Sequence, residues 1–354
     1  MSPRSRLLRW STLGCVAVLA AGAAGCRGQE TTAAAMPSPG PISGRVTLEG
    51  SSTLQPVSQA MAKAFALAHP EVRVDVRTSG TAGGLKKLCD GAVDIAEASR
   101  PINAAEAAQC RGQGVEFVEL PVAFDSVAVV THAGNTFVQC LTVGELKTLW
   151  EPAAEGQVKT WNQVRSTFPV EPVALYGPGT ESGTFDYFTL AIVGREHSSR
   201  TDYAKSEDDD VLVGGVAGDP YALGYFGYAY YLANKDRLKL IAVDGGHGCV
   251  TPNPDTLAEG SYQPLTRPLF LYVSVRASRR PEVRALAHFY VDPEHARYVH
   301  EAGCAPLPPA TLLSVARRLD LGVTGSIFSG RGSVLGVTVE AFRDDDRIKN
   351  ALVQ

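Results

Sequence analysis

Apolar positions along this chain fall into short runs, most of which reach a loop of glycines and hydroxyls and then a stripe at helical spacing. Val46 to Leu48 reads as a strand ending at Gly50-Ser51-Ser52-Thr53-Leu54, after which Val57, Met61 and Phe65 mark one face of a helix. Val72 to Val76 alternates as a second strand, ends in the loop from Thr78 to Gly84, and is followed by Leu85 and Leu88. Val93 to Ala98 is a third run and meets Ser99-Arg100-Pro101. Val173 to Tyr176 feeds the stretch from Gly177 to Thr184, where Phe185, Phe188 and Ile192 take up helical spacing. This recurring order predicts an α/β lobe with a largely parallel sheet. Ligands in such sheets gather at the carboxyl ends of the strands, where these loops lie.

The long β-rich stretch from Val115 to Val130, interrupted in pattern by Asp125 and Ser126, reads as a crossing into a second lobe. Pro268 to Val273 is the candidate return. Two crossings imply a hinge, with lobe one over residues 44–124, lobe two over 125–266, and the return plus a C-terminal tail over 267–354. Within lobe two, Leu141 to Leu146 starts a helix, Trp150 and Trp161 look like packing elements, and the aromatic run from Leu223 to Tyr231 reads as a packed strand turning into a helix. The acidic run Glu207 to Asp210 reads as a solvated helix start, because it lacks the spaced ligands and central glycine of a calcium loop. A helix from Pro281 to about Tyr290 and another from Asp292 follow the return, and Leu312 to Gln354 reads as loop and short strand.

Composition changes this picture in three places. A chain of 354 residues, 45% of them hydrophobic, can bury the cores of two lobes. Its net charge of -4 gives no general attraction to nucleic acid or to an anionic membrane, so any anion must be captured locally. The start of the chain sets the compartment: Arg4, Arg6 and Arg9, then the apolar run Leu13 to Ala24, then Ala23-Ala24-Gly25-Cys26, in the manner of a bacterial lipoprotein signal. Residues 1–25 would be removed, Cys26 lipidated, and residues 26–43 would form a Thr/Ala/Pro/Gly/Ser tether in the cell envelope. The membrane would be met only through that anchor.

Beyond the signal and anchor cysteines stand Cys89, Cys110, Cys140, Cys249 and Cys304. Outside the cytoplasm disulfides are expected. Cys89 with Cys110 is the preferred pair on proximity, Cys249 with Cys304 or with Cys140 stays open, and the odd number leaves a free thiol. No CxxC occurs and the histidines lack zinc spacing, so neither a structural metal nor a cofactor is expected.

Glycine-hydroxyl loops running into helices suit a tetrahedral oxyanion, because a helix N-terminus offers free N–H groups and partial positive charge. GSSTL at 50–54, TSGTAGG at 78–84, ASRPI at 98–102 and ESGTF at 181–185, in that order, resemble four motifs of the periplasmic phosphate-binding proteins of ABC importers. GYFGYAYY and YQPLTRPLF are similar to the cyanobacterial-type branch of that family. The resemblance spans about Val46 to Val337. It implies a type II periplasmic-binding fold, two α/β lobes joined by a two-crossing hinge, with inorganic phosphate as ligand, permease subunits as partners and a monomeric receptor.

Carried over motif by motif, the ligands from lobe one would be Ser52, Thr53, Leu54 and Thr81, and those from lobe two Ser182, Gly183 and Thr184. Well-studied members carry an aspartate where this chain has Arg100 and an arginine where it has Pro178. Arg100 therefore becomes the candidate charged ligand, its fork suiting two phosphate oxygens. Loss of that aspartate requires another acceptor for the phosphate proton; Asp125 and Glu181 are the candidates. A serine hydrolase is disfavoured, since Thr180 and Thr184 occupy the glycine places of a nucleophile elbow around Ser182. Receptors for sulfate or molybdate, and a phosphate sensor, are the nearer alternatives.

Overall fold

A computed structural model describes residues 42–342. The expected signal peptide, Cys26, nearly all of the tether and the last residues of the tail lie outside the described residues.

The first three strand–helix units are β1 (Gly44–Gly50) with α1 (Gln55–Ala68), β2 (Val72–Thr78) with α2 (Gly80–Cys89), and β3 (Ile95–Ala98) with α3 (Ala104–Gly112). Helix α1 buries Val57, Met61 and Phe65 and carries Pro56 in its first turn, where a missing N–H is harmless. Helix α3 completes the third unit, which the apolar pattern alone did not resolve. Its start is a capping box, Asn103 accepting from the Glu106 N–H at 2.9 Å while the Glu106 carboxylate takes the Asn103 N–H.

Next comes β4 (Phe117–His132), one 16-residue strand buried along nearly its whole length. Asp125 and Ser126 do not interrupt it. Beyond it lie β5 (Cys140–Thr142), α4 (Val143–Trp150), β6 (Ala174–Gly177), α5 (Gly183–Phe188), β7 (Ala204–Lys205), α6 (Asp209–Gly218), β8 (Ala222–Gly227) and α7 (Tyr228–Ala233). They are followed by β9 (Leu238–Asp244), β10 (Cys249–Val250), α8 (Pro254–Ala258), β11 (Thr266–Ser274), α9 (Pro281–Val291), α10 (Ala296–Glu301), β12 (Ala305–Pro306) and α11 (Pro309–Asp320).

In one sheet β2, β1 and β3 run parallel, then β11 lies antiparallel to β3, and β4 antiparallel to β11. After Ser126, β4 leaves β11 and pairs instead with β8 and β9, while β8, β6 and β7 run parallel beside it. The largely parallel sheet expected from the pattern is thus corrected at β4 and β11. The physical reason is direction: β11 brings the chain back from the second sheet, so it runs against the strands beside it.

The tail also differs from expectation. Leu312, Val315 and Leu319 form the buried stripe of α11, a helix where loop was read. Among the described residues after it there is no strand, only isolated bridges pairing Asn103 with Arg331 and Val118 with Gly325. The tail is held by the buried Glu119 carboxylate, which accepts from the Ile327 N–H at 2.7 Å and the Tyr272 hydroxyl at 2.6 Å. Phe342 then packs 5.4 Å from Phe124 of β4.

Two disulfides form, Cys89–Cys110 and Cys140–Cys249, the second resolving the pairing left open; Cys304 is a buried free thiol. Trp150 and Trp161 are fully buried; the Trp161 indole donates to the Tyr221 carbonyl at 2.9 Å. The acidic run does start a helix, the Asp208 side chain accepting from the Asp210 N–H at 3.0 Å.

Candidate anion-binding site

Four loops meet where β1, β2, β3 and β6 end. Gly50 to Leu54 turns into α1, Ser79 into α2, Ser99 follows β3, and Ser182 caps α5 by accepting from the Thr184 N–H at 3.1 Å. Their approach is close enough to exclude a side chain at residue 183: a Cβ on Gly183 would lie 2.5 Å from the hydroxyl oxygens of Thr81 and Ser99. Glycine lets the N-terminal turn of α5 reach those hydroxyls directly. Thr81 and Ser99 are fully buried, with their hydroxyls 3.2 Å apart, and the Ser99 N–H donates to Thr81 at 3.1 Å.

The residue that joins these loops is Arg267. It stands directly opposite Asp125 across the β11–β4 pair, and both are fully buried. Its Nε and Nη2 donate to Asp125 Oδ2 at 3.2 and 3.0 Å. The same Nη2 lies 2.9 Å from the Thr53 hydroxyl, on the β1 loop, and 2.9 Å from the Thr184 hydroxyl, on α5. Those two hydroxyls are 3.4 Å apart. The strand end carrying Arg267 is pinned in turn: the Tyr187 hydroxyl of α5 donates to the Thr266 and Pro264 carbonyls, and the Tyr262 hydroxyl to the Val127 carbonyl at 3.0 Å.

Two polar atoms of this cluster have no hydrogen-bond partner, Arg267 Nη1 and Asp125 Oδ1. Buried groups of this kind are almost always satisfied, so an unsatisfied donor and an unsatisfied acceptor on two paired residues suit a ligand that offers both. Burial pushes the Asp125 carboxyl above the ordinary aspartate range, against the pull of Arg267. Such a carboxyl takes a proton more readily than one in water. Donors from Arg267, hydroxyls from Thr53 and Thr184, and a proton-hungry carboxylate together can hold a tetrahedral anion that carries a proton, with no metal. Among the described residues no His, Cys, Asp and Glu cluster has metal-binding geometry.

The other expected residues are placed as follows. Leu54 is buried in the turn into α1, and Ser182 and Gly183 open α5 beside Thr81. Ser52 points its hydroxyl at Asp209 of α6, 3.1 Å away. Arg100 is buried but turned elsewhere: its Nε donates to Asp186 of α5 at 2.6 Å, and its two terminal nitrogens to Glu106 at 2.9 and 2.8 Å. Glu181 is exposed and meets the α2 loop by its backbone, its carbonyl accepting from the Ala82 N–H at 3.4 Å. No local signal marks Arg267 or Asp209: Arg267 lies within the stretch YQPLTRPLF, and Asp209 within an acidic run that reads as solvated.

Known proteins resemble this chain over most of its length. Residues 35–294 match the model of the PBP superfamily domain. The chain is 45% identical to the protein SphX of Synechocystis over 302 residues, 85% of this chain and 89% of that one. It is 31% identical to the phosphate-binding protein PstS of Staphylococcus saprophyticus over 280 residues, covering 78% of this chain and 85% of that one. A crystal structure described as a possible phosphate binding protein from Planctomyces limnophilus is 41% identical, with a TM-score of 0.58, and covers 79% of this chain and 98% of that one.

Proposed function

The chain belongs to the periplasmic-binding-protein superfamily, with SphX and the PstS phosphate-binding proteins among its relatives, and from that premise we propose that it captures inorganic phosphate for an ABC importer. It is a binding component rather than an enzyme. The two α/β lobes of the type II fold meet at the loops described above, and phosphate binds between them.

One observation carries this reading: a single buried arginine reaches hydroxyls on both lobes while its free Nη1 and the free Oδ1 of Asp125 lack partners. In this reading Arg267 takes the charged-ligand role that Arg100 was expected to fill, with Thr53, Thr81, Ser182, Gly183 and Thr184 around it. Arg100 instead ties the loop after β3 to α5. Asp125 accepts the phosphate proton, a role that an exposed Glu181 is badly placed to fill. A carboxylate acceptor favours a protonated anion and repels one that is fully ionised, which would separate phosphate from sulfate.

The setting is extracytoplasmic, consistent with two disulfides. Anchoring through Cys26 and delivery to membrane permease subunits complete the proposal. Calorimetric titration of the chain lacking residues 1–26, stripped of anion, tests it. Phosphate is expected to bind tightly and sulfate weakly; equal affinities would point to a general tetrahedral-oxyanion receptor, and no heat with either would overturn the reading.

A further inference from the structure

Ser52 is one of the residues through which the lobes touch outside the Arg267 cluster. From the second lobe, Asp209 at the start of α6 accepts from the Ser52 hydroxyl at 3.1 Å, and the Tyr230 hydroxyl of α7 donates to the Ser52 carbonyl at 3.1 Å. Asp209 is 2% exposed although it opens an acidic helix turn. Asp209 lines a cavity of about 280 Å³ between Ser52, Gln55 and Ser79 of the first lobe and Glu207, Asp210 and Tyr230 of the second. An open cleft would return this carboxylate to water.

We propose that Asp209 is a proton-linked latch, so that lobe closure over the anion and protonation of Asp209 are one coupled event. The inference rests on the phosphate-trap reading. Burial of a lone carboxylate is unfavourable unless its charge is paired or removed. Its surroundings do not supply a dedicated cation. Arg267 is engaged with Asp125, Asp125 and Asp208 add negative charge, and Tyr230 and Ser52 are neutral. A captured dianion would add more negative charge a short distance away. Burial is the largest influence and lifts the Asp209 carboxyl to about 7, with Ser52 and Arg267 opposing and Asp125 and Asp208 reinforcing the rise. In the open form the group is an ordinary aspartate. Closure therefore takes up a proton near neutrality, and rising pH weakens closure across the interval between the two values.

The test is phosphate titration of the wild-type chain and of Asp209→Asn, in paired buffers of different ionisation enthalpy, from pH 5.5 to 8. Comparing the two chains cancels the titration of phosphate itself. At pH 7 the wild type is expected to take up about half a proton more per phosphate than the variant. The ratio of variant to wild-type affinity is expected to rise at least tenfold, that is by ~1 pH unit of linkage, across the range. Ser52→Ala keeps the carboxylate but removes a hydrogen bond that favours its ionised form, so its uptake should persist with a midpoint at higher pH. Identical proton counts and profiles in wild type and Asp209→Asn, or an unmoved midpoint in Ser52→Ala, overturn the latch while leaving the phosphate trap intact. Absence of phosphate binding to the wild type overturns the trap, and the latch with it.

Discussion

At position 267 one guanidinium meets a carboxylate across a strand pair and two hydroxyls that belong to different lobes. Its structural and binding roles can be separated. Arg267→Met leaves Asp125 buried and unpaired, which should destabilise the fold by about 3 kcal/mol. Adding Asp125→Asn removes that stranded charge and should restore most of the stability in denaturant unfolding. Phosphate affinity should fall in both variants by about 3 kcal/mol, the scale of lost charge-assisted hydrogen bonds. Recovery of binding together with stability in the double variant would exclude Arg267 as a ligand. At this scale the sequence placed Thr53, Thr81 and Thr184 at the glycine-rich turns into helices where the structure has them, because that grammar is local. It was not legible for Arg100 and Arg267. Two arginines in loops or strands look alike in a sequence, and only the fold decides which one finds two carboxylates and which one finds one carboxylate and two hydroxyls.

Elements were legible where a local signal sufficed. The helix start at Thr142 and the apolar stripes of α1 and α9 are read from neighbouring residues alone. Helix α11 carries an equally clear stripe and was hidden by the Gly-rich segment after it. Short elements rely on long-range support: β5 has three residues, β10 has two, and the Cys140–Cys249 bond ties them together across 109 positions. Closing so long a loop restricts the unfolded chain strongly, so replacing both cysteines with serine should cost about 4 kcal/mol. A fall in thermal midpoint of several degrees would check this. An unchanged midpoint would mean that β9, lying between the two short strands, holds them without the bond.

At the scale of the whole molecule, β4 is the member shared by both sheets and β11 lies beside its first half, so motion between lobes must pass through the region of Ser126 and Thr266. Arg100 spans the same boundary from the other side, joining the loop after β3 to Asp186 of α5, with both side chains buried. Parting of the lobes, which the proposed trap requires, would break that pair. Arg100→Ala should therefore weaken phosphate binding by about 2 kcal/mol without removing a ligand, through the loss of a buried ion pair from the closed form. Small-angle scattering distinguishes this from loss of a direct contact: the phosphate-loaded variant should stay more expanded than the loaded wild type. Equal compaction would show that the ion pair does not bias closure.

The residues by themselves determined the α/β class, the three glycine-hydroxyl loops that run into helices and the Cys89–Cys110 pair. Each of these follows from short-range periodicity, helix-start chemistry or proximity along the chain. Tertiary structure alone decided that β11 runs against its neighbours, that Cys140 rather than Cys304 meets Cys249, and that Arg267 rather than Arg100 meets Thr53 and Thr184. It also turned Asp209 from one charge in a solvated run into a buried carboxyl facing Ser52. These are contacts between residues 83 to 214 positions apart. A local pattern states which side chains are available to such contacts, and only the packing of the lobes selects which of them meet.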